Sequence, residues 1–305
     1  MKLVTYVVEA QAPRVGALVE NHIVPLSDHF PDMIAFLAGG ARARDTAARV
    51  IDRALRARAS LLARSEVRLL APVPRPASIR DFMCFEEHVI NAGRSIARIR
   101  GERVEDVKVP PQWYQIPAYY KGNPGSVVGP DTDVVWPSYS ALLDYELEFG
   151  VFIGVGGREI PRERAAEQIG GYTIFNDFSA RDIQGAEMTL LLGPAKGKDF
   201  DTGNAMGPFL VTPDEIPDPY ALTMVARVNG EEWSRGNSRA MHFRFEELIA
   251  YVSRSESLYP GDFFGSGTVG GGCGLEHGRW LKPGMTVELE VSGLGVLRNH
   301  VVTAS

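Results

Sequence analysis

Short stretches of this 305-residue chain concentrate residues able to do acid–base or metal chemistry. The first is Asp144-Tyr145-Glu146-Leu147-Glu148, which runs into the apolar Phe149-Gly150-Val151-Phe152-Ile153 and a turn at Val155-Gly156-Gly157. That pattern predicts a strand. On a strand alternate side chains share a face, so Asp144, Glu146 and Glu148 point one way at roughly 7 Å intervals. Carboxylates crowded on an apolar strand repel one another and lose hydration unless a cation or hydrogen bonds compensate. Their hard oxygens suit Mg²⁺, Ca²⁺ or Mn²⁺ rather than a thiolate-loving metal. Taken alone, the stretch also permits a solvated edge strand with a wet acidic face.

A second stretch is Gly171-Tyr172-Thr173-Ile174-Phe175-Asn176-Asp177-Phe178-Ser179-Ala180-Arg181-Asp182-Ile183-Gln184. It predicts a strand over Tyr172–Asn176 and a turn or one-turn helix over Ser179–Gln184. Asp177, at the strand end, could supply a third carboxylate or merely cap the turn. Arg181 and Gln184, three apart, would share a helix face. The third stretch, Lys196-Gly197-Lys198-Asp199-Phe200-Asp201-Thr202, is either an anion-binding loop or solvated surface. It lacks the GxxxxGK[ST] arrangement of a P-loop. The fourth, Pro260–Gly272, holds six glycines in thirteen positions, which lets backbone approach a ligand closely. No strand–GxGxxG–helix context accompanies it, so a dinucleotide is not indicated.

The elements that must position these residues are mostly short strands. Strands are expected at Lys2–Glu9, in a hairpin over Arg14–Leu26, at Ser78–Cys84, and then at Tyr119–Lys121, Asp133–Trp136, Tyr145–Ile153, Tyr172–Asn176, Phe209–Val211, Thr223–Val228, Phe263–Gly265, Val287–Val291 and Val296–Val302. Val228-Asn229-Gly230-Glu231 is a hairpin turn. Helices are expected at Pro31–Ala38, Asp45–Ser65, Arg162–Ile169 and Phe245–Arg254. Another is expected at Phe85–Arg100, where Phe85, Val89, Ala92, Ile96 and Ile99 form an apolar stripe with His88 on or beside it. The Pro-rich Ala71–Pro76 predicts a boundary between a small leading domain, 1–71, and a main domain, 72–305. Many strands with few helices argue for an α+β, β-rich roll or open barrel rather than a doubly wound sheet.

Composition narrows the function class. The net charge is −6 with no long basic run, which argues against nucleic acid and anionic membrane as partners. The two cysteines, Cys84 and Cys273, lie far apart and outline neither a disulfide framework nor a Cys-type zinc site. The N-terminus does not read as a signal peptide and no apolar run spans a bilayer. A reduced, cytoplasmic, soluble protein is the expectation.

Taken in order, LDYELEFGVFIG, GYTIFNDFSARDIQ, KGKDFDTGNAMGP and PGDFFGSGTVGGG resemble the fumarylacetoacetate hydrolase family, from about Ser78 to Val302. The resemblance implies a mixed β-sandwich roll as catalytic domain, behind a small N-terminal α/β domain. It further implies one divalent metal, Mg²⁺ first and Mn²⁺ or Ca²⁺ as alternatives, a small β-diketo or oxo acid as substrate, and a homodimer. It assigns Glu146, Glu148 and Asp177 as metal carboxylates. Arg181, Gln184 and Lys198 would face the reacting oxygens, with Lys196 as the alternative to Lys198. Tyr120, Gly267 and Thr268 would contact substrate, and His88 would be the general base. Fumarylacetoacetate hydrolase itself has a fourth carboxylate at the place held here by Cys84, with Asp81 three residues earlier. Smaller members carry a Glu three residues after the histidine, where this chain has Asn91. Glu276, in Cys273-Gly274-Leu275-Glu276, resembles the partner that fumarylacetoacetate hydrolase brings from its C-terminal part. The activity so implied is metal-dependent hydrolysis of a C–C bond in a β-diketo acid. Decarboxylation, isomerisation or hydration of a related oxo acid on the same metal site is the alternative.

Overall fold

The computed structural model describes residues 1–9, 11–58 and 61–304. Two sheets dominate it. The larger has 12 strands. Its centre is Leu147–Ile153, paired antiparallel with Ile169–Asp177 on one side and with Asp262–Gly265 on the other. Beyond Ile169–Asp177 come Asn204–Val211, Lys2–Val7, Arg14–Val19 and His22–Pro25. Beyond Asp262–Gly265 come Ser78–Phe82 and Tyr119–Gly122. The smaller sheet has five strands, in the order Glu231–Asn237, Thr223–Val228, Thr286–Val291, Gly295–Thr303 and Asp133–Trp136. This is a mixed, β-rich α+β architecture without a closed barrel, as the strand pattern predicts.

Side-chain alternation explains the layers. On one face of the large sheet Leu147, Phe149, Val151 and Ile174 share a core with Met224, Ala226, Leu289 and Val291 of the small sheet. On the opposite face Phe152, Phe175 and Phe263 pack with Phe36, Leu37, Ala43 and Ala47 of helices Met33–Ala38 and Gly40–Ala57. The hairpin at Asn229-Gly230 forms with both residues at positive φ, 51° and 80°, as the two-residue turn demands. Among the described residues no helix is long and apolar enough to cross a membrane.

Three sequence expectations change. The helix expected over Asp45–Ser65 starts earlier, at Gly40, and ends at Ala57, where Arg58 adopts φ 49°; Leu62–Ala63 is a strand edge. Its expected course through residues 59 and 60 lies outside the described residues. The 85–100 helix forms over Glu86–Arg100, with Phe85 buried just before it and Val89 and Ala92 half-buried, but the C-terminal end of the predicted stripe is not covered. It buries His88, Ser95 and Ala97, and leaves Ile96 and Ile99 exposed. Tyr145–Ile153 is no edge strand and is not continuous with Asp144. Leu143–Asp144 pairs separately with Ser179–Ala180, and Glu146 bridges to Cys273. The break follows from local hydrogen bonds: Tyr145 N donates to the Asp144 carboxylate, and Glu146 N donates to Asn176 Oδ1.

Gly150 lies where the central strand crosses the phenylalanine layer. A Cβ there would sit 2.3 Å from Phe263 Cζ and 2.6 Å from the Phe264 carbonyl oxygen. Gly150→Val is expected to destabilise the fold by about 3 kcal/mol through overpacking. Urea unfolding checks this, the expected result being a lower midpoint at unchanged slope.

Candidate active site

Three strands of the large sheet, two adjacent and the third one strand further across, converge on one buried point. Glu148 comes from the central strand, Asp177 from the end of Ile169–Asp177, and Asp81 from Ser78–Phe82. Glu146 enters from the break before the central strand. One oxygen from each of Asp81, Glu146, Glu148 and Asp177 lies within 4.8 Å of the others, and all four residues are buried. Burial rules out the wet edge that the sequence alone permitted. Asp81 is the residue the sequence reading passed over, because it sits three positions before the place where the resemblance expects a fourth carboxylate. Chain spacing carries no signal for it; the strand pairing in the structure does. Asp81 lies beside Gly265, where any Cβ would meet Asp81 Oδ1 at 2.2 Å, so the glycine lets that carboxylate turn inward. Cys84 is buried, its thiol pushed up by burial and by the nearby charges of Asp81 and Glu148.

Cations and donors surround the carboxylates. Lys198 Nζ donates to Glu146 Oε2 at 2.5 Å and to Asp177 Oδ2 at 2.6 Å. Lys196 is exposed, its ammonium 4.9 Å from the Tyr139 ring centroid, so Lys198 is the lysine of this cluster. Arg181 pairs with Asp144 through Nε and with Glu146 Oε1 through Nη1, each at 2.8 Å, and Nη1 also donates to Gln184 Oε1 at 2.9 Å. Tyr120 donates to Asp177 Oδ2 at 2.6 Å, and Thr268 to Glu148 Oε1 at 3.1 Å. Gly267 N reaches Asp81 Oδ1 at 3.3 Å.

His88 stands across the cavity from this cluster. Its Nδ1 lies 2.8 Å from Glu276 Oε1, although the two residues are 188 positions apart. The same carboxylate accepts the N–H groups of Gly271 and Gly272 at 2.7 and 3.2 Å. Burial works against the Glu276 anion, but the His88 contact and these amides outweigh it and hold the carboxyl below its usual range. With Nδ1 engaged, Nε2 is the ring nitrogen left for the cavity. That cavity, ≈280 Å³, is lined by His88, Glu146, Glu148, Asp81, Lys198, Gln184, Tyr120, Thr268 and Gly267 among others. The structure thus brings the sequence-predicted site residues together, with Arg181 immediately behind them.

The donor set fits a divalent cation. Two carboxylate oxygens, Glu148 Oε2 and Asp177 Oδ1, are buried without a hydrogen-bond partner, which is costly for an anion. Burial and the neighbouring carboxylates raise Asp81 and Glu148 well above the ordinary range. Burial also lifts Asp177, against Lys198, to about 6. Glu146 is held at about 2, because Lys198 and Arg181 overcome its burial. A set of hard oxygens that cannot all ionise unaided is what Mg²⁺, Mn²⁺ or Ca²⁺ would complete.

Residues 77–302 match the family model described as fumarylacetoacetate (FAA) hydrolase C-terminal. Over 273 residues the chain is 38% identical to the mitochondrial oxaloacetate tautomerase of Rattus norvegicus, covering 88% of this chain and 79% of that protein. Its fold is similar to that of fumarylacetoacetate hydrolase from psychrophilic Exiguobacterium antarcticum, with TM-score 0.78, 25% identity and 100% of both chains covered. It is also similar in fold to maleylpyruvate hydrolase from Sphingobium sp. SYK-6, solved with manganese(II) and pyruvate, with TM-score 0.77, 21% identity and 100% of both chains covered.

Cation binding must displace the protons that the crowded carboxylates hold. Calorimetry of Mn²⁺ binding at pH 7 in buffers of different ionisation enthalpy is expected to show net proton release, and affinity is expected to fall as pH drops through about 6, where Asp177 protonates. Binding with no proton release and no pH dependence would contradict the crowding described. Outer partners of a metal site already cost roughly 10- to 100-fold in affinity when removed. Asp81→Asn is expected to cost at least as much in the same titration.

Proposed function

The chain belongs to the fumarylacetoacetate hydrolase family, and within it we propose a divalent-cation-dependent keto–enol tautomerase acting on a small 2-oxo acid of the oxaloacetate type. The observation that carries this reading is that His88, held by Glu276 at Nδ1, lines the same cavity as the carboxylates of the cluster. Keto–enol exchange needs one group to carry a proton between carbon 3 and the 2-oxo oxygen, and a neighbourhood that stabilises negative charge on that oxygen. The rat relative's tautomerase activity toward oxaloacetate supports this choice within a family that also holds hydrolases and isomerases.

Glu146, Glu148, Asp177 and Asp81 would hold the cation, with Mg²⁺ or Mn²⁺ suiting their oxygens. When bound, it supplies Lewis-acid polarisation of the substrate's oxygens. The chain's own residues do the rest. Glu276 accepts from His88 Nδ1–H, which fixes the tautomer and leaves Nε2 as base. The imidazole takes the proton from carbon 3, and Glu276 stabilises the resulting imidazolium. Lys198 and Gln184 line the cavity where charge grows on the 2-oxo oxygen, and one preorganised donor there is worth roughly 3 kcal/mol. The proton returns to that oxygen to complete the enol; the reverse order restores the ketone.

Hydrolysis of a C–C bond in a β-diketo acid is the second reading. It is favoured by a cavity longer than a four-carbon acid needs and by the same dyad, which could activate water. A spectrophotometric panel of oxaloacetate, acylpyruvates and fumarylacetoacetate, with Mg²⁺ or Mn²⁺ and with EDTA, separates the two. Faster equilibration of oxaloacetate's enol absorbance without CO₂ or a cleavage product marks tautomerisation. Release of pyruvate from an acylpyruvate, or of acetoacetate from fumarylacetoacetate, marks hydrolysis.

His88→Ala is expected to lower turnover by two to four orders of magnitude while cation affinity is unchanged. Glu276→Gln is expected to lower it less, since the amide still accepts at Oε1, and to keep the cation too. Full activity in His88→Ala would remove the base from this mechanism.

A further inference from the structure

The cavity has two chemically different halves. Its inner end, the buried part of the lining, holds Asp81, Glu146, Glu148, Lys198, Thr268 and His88. Its outer end, exposed or half-buried, is walled by Met83, Ala118, Tyr119, Met188 and Pro194. At ≈280 Å³ the whole approaches the ~300 Å³ at which drug-sized pockets begin. A four-carbon acid seated at the polar end leaves the apolar end unfilled.

We propose that this outer half is a subsite for an apolar substituent, so that the site also takes 2-oxo acids with an unbranched apolar tail, and that Met83 and Met188 determine this specificity. The inference rests on reading the polar end as a 2-oxo-acid site.

A substrate with a second carboxylate at its far end would need a cation on the outer wall. Among the described residues, Lys198 is the only lysine or arginine lining the cavity, and its ammonium is already bound to Glu146 and Asp177. Met83 and Met188 are 42% and 49% exposed, unusual for methionine unless something covers it. Their flexible thioether chains adapt to tails of different length. The segment that supplies Met188 continues as Leu190, Leu191 and Leu192, which are 69%, 91% and 90% exposed. Its base is fixed: the Glu187 carboxylate accepts the N–H groups of Ala195, Lys196 and Gly197 at 2.7–3.0 Å. The apolar surface is therefore held beside the mouth by a defined turn, where a bound tail would cover part of it.

The test is direct calorimetric binding of a homologous series, pyruvate to 2-oxooctanoate, to the Mn²⁺-loaded protein, beside 2-oxo diacids of matching length. Affinity is expected to rise about fourfold for each added methylene that becomes buried. The diacids should bind no more tightly than pyruvate. Met188→Lys should flatten the alkyl series and raise affinity for 2-oxoadipate. A flat series in the unsubstituted protein, or diacids that bind more tightly than alkyl acids, overturns the subsite whatever the variant does. Oxaloacetate turnover with a flat series would leave the tautomerase reading standing and remove the subsite. A steep series without oxaloacetate turnover would do the reverse.

Discussion

Asp81, Asp144, Glu146, Glu148 and Asp177 are all buried, and among the described residues Arg181 and Lys198 are the arginine and lysine paired with them. Two positive charges cannot neutralise five carboxylates, and burial weakens the screening that bulk water would give. The chain divides the load unevenly. Asp144 is saturated by the Arg181 guanidinium and by the N–H groups of Tyr145, Gly274 and Leu275. Glu146 lies between Arg181 and Lys198 and is held ionised. Asp81, Glu148 and Asp177 receive less, and burial pushes all three upward, as it does Asp144 despite its partners. The deficit falls on the residues whose oxygens converge. A carboxylate that resists ionisation in the free protein still binds a divalent cation well, provided the cation replaces the proton. The desolvation that works against the ionised carboxylates is thus also what suits the cluster to a small, doubly charged partner.

Much of the layout was legible because β structure writes its two faces into alternate residues. Leu147, Phe149 and Val151 against Glu146 and Glu148 already separate core from site, and Asn229-Gly230 fixes a hairpin register. What could not be read was set by tertiary contacts. The apolar period of the 85–100 helix points to Ile96 and Ile99, yet the helix turns its polar face inward because His88 must meet Glu276. Periodicity does not announce a partner 188 residues away; the likeness of Cys273-Gly274-Leu275-Glu276 to a family segment is what pointed to Glu276. Asp81 was obscured for a different reason: sequence spacing counts along the chain, whereas the cluster is assembled across strands, and the inward turn of Asp81 depends on a glycine in a neighbour 184 positions later. Lys196 and Lys198 are indistinguishable as residue types, and only burial separates them.

Asp144 joins the two halves of the site. One of its oxygens accepts from Gly274 N, the other from Leu275 N and Arg181. Gly274 and Leu275 open the short helix Gly274–His277 that carries Glu276, while Arg181 reaches on to Glu146 at the carboxylate cluster. A single buried carboxylate therefore fixes the distance between the group that orients the base and the group that would help hold the cation. Proton transfer demands that spacing to within a few tenths of an ångström, because a base beside a misplaced carbon does little. Strand Leu143–Asp144 is two residues long and pairs with only two others, too small to be needed for the sheet. Its place in the fold makes sense as the mounting for Asp144. The acidic alternation that begins there serves two ends: its first member aligns the machinery, and the next two enter the cluster.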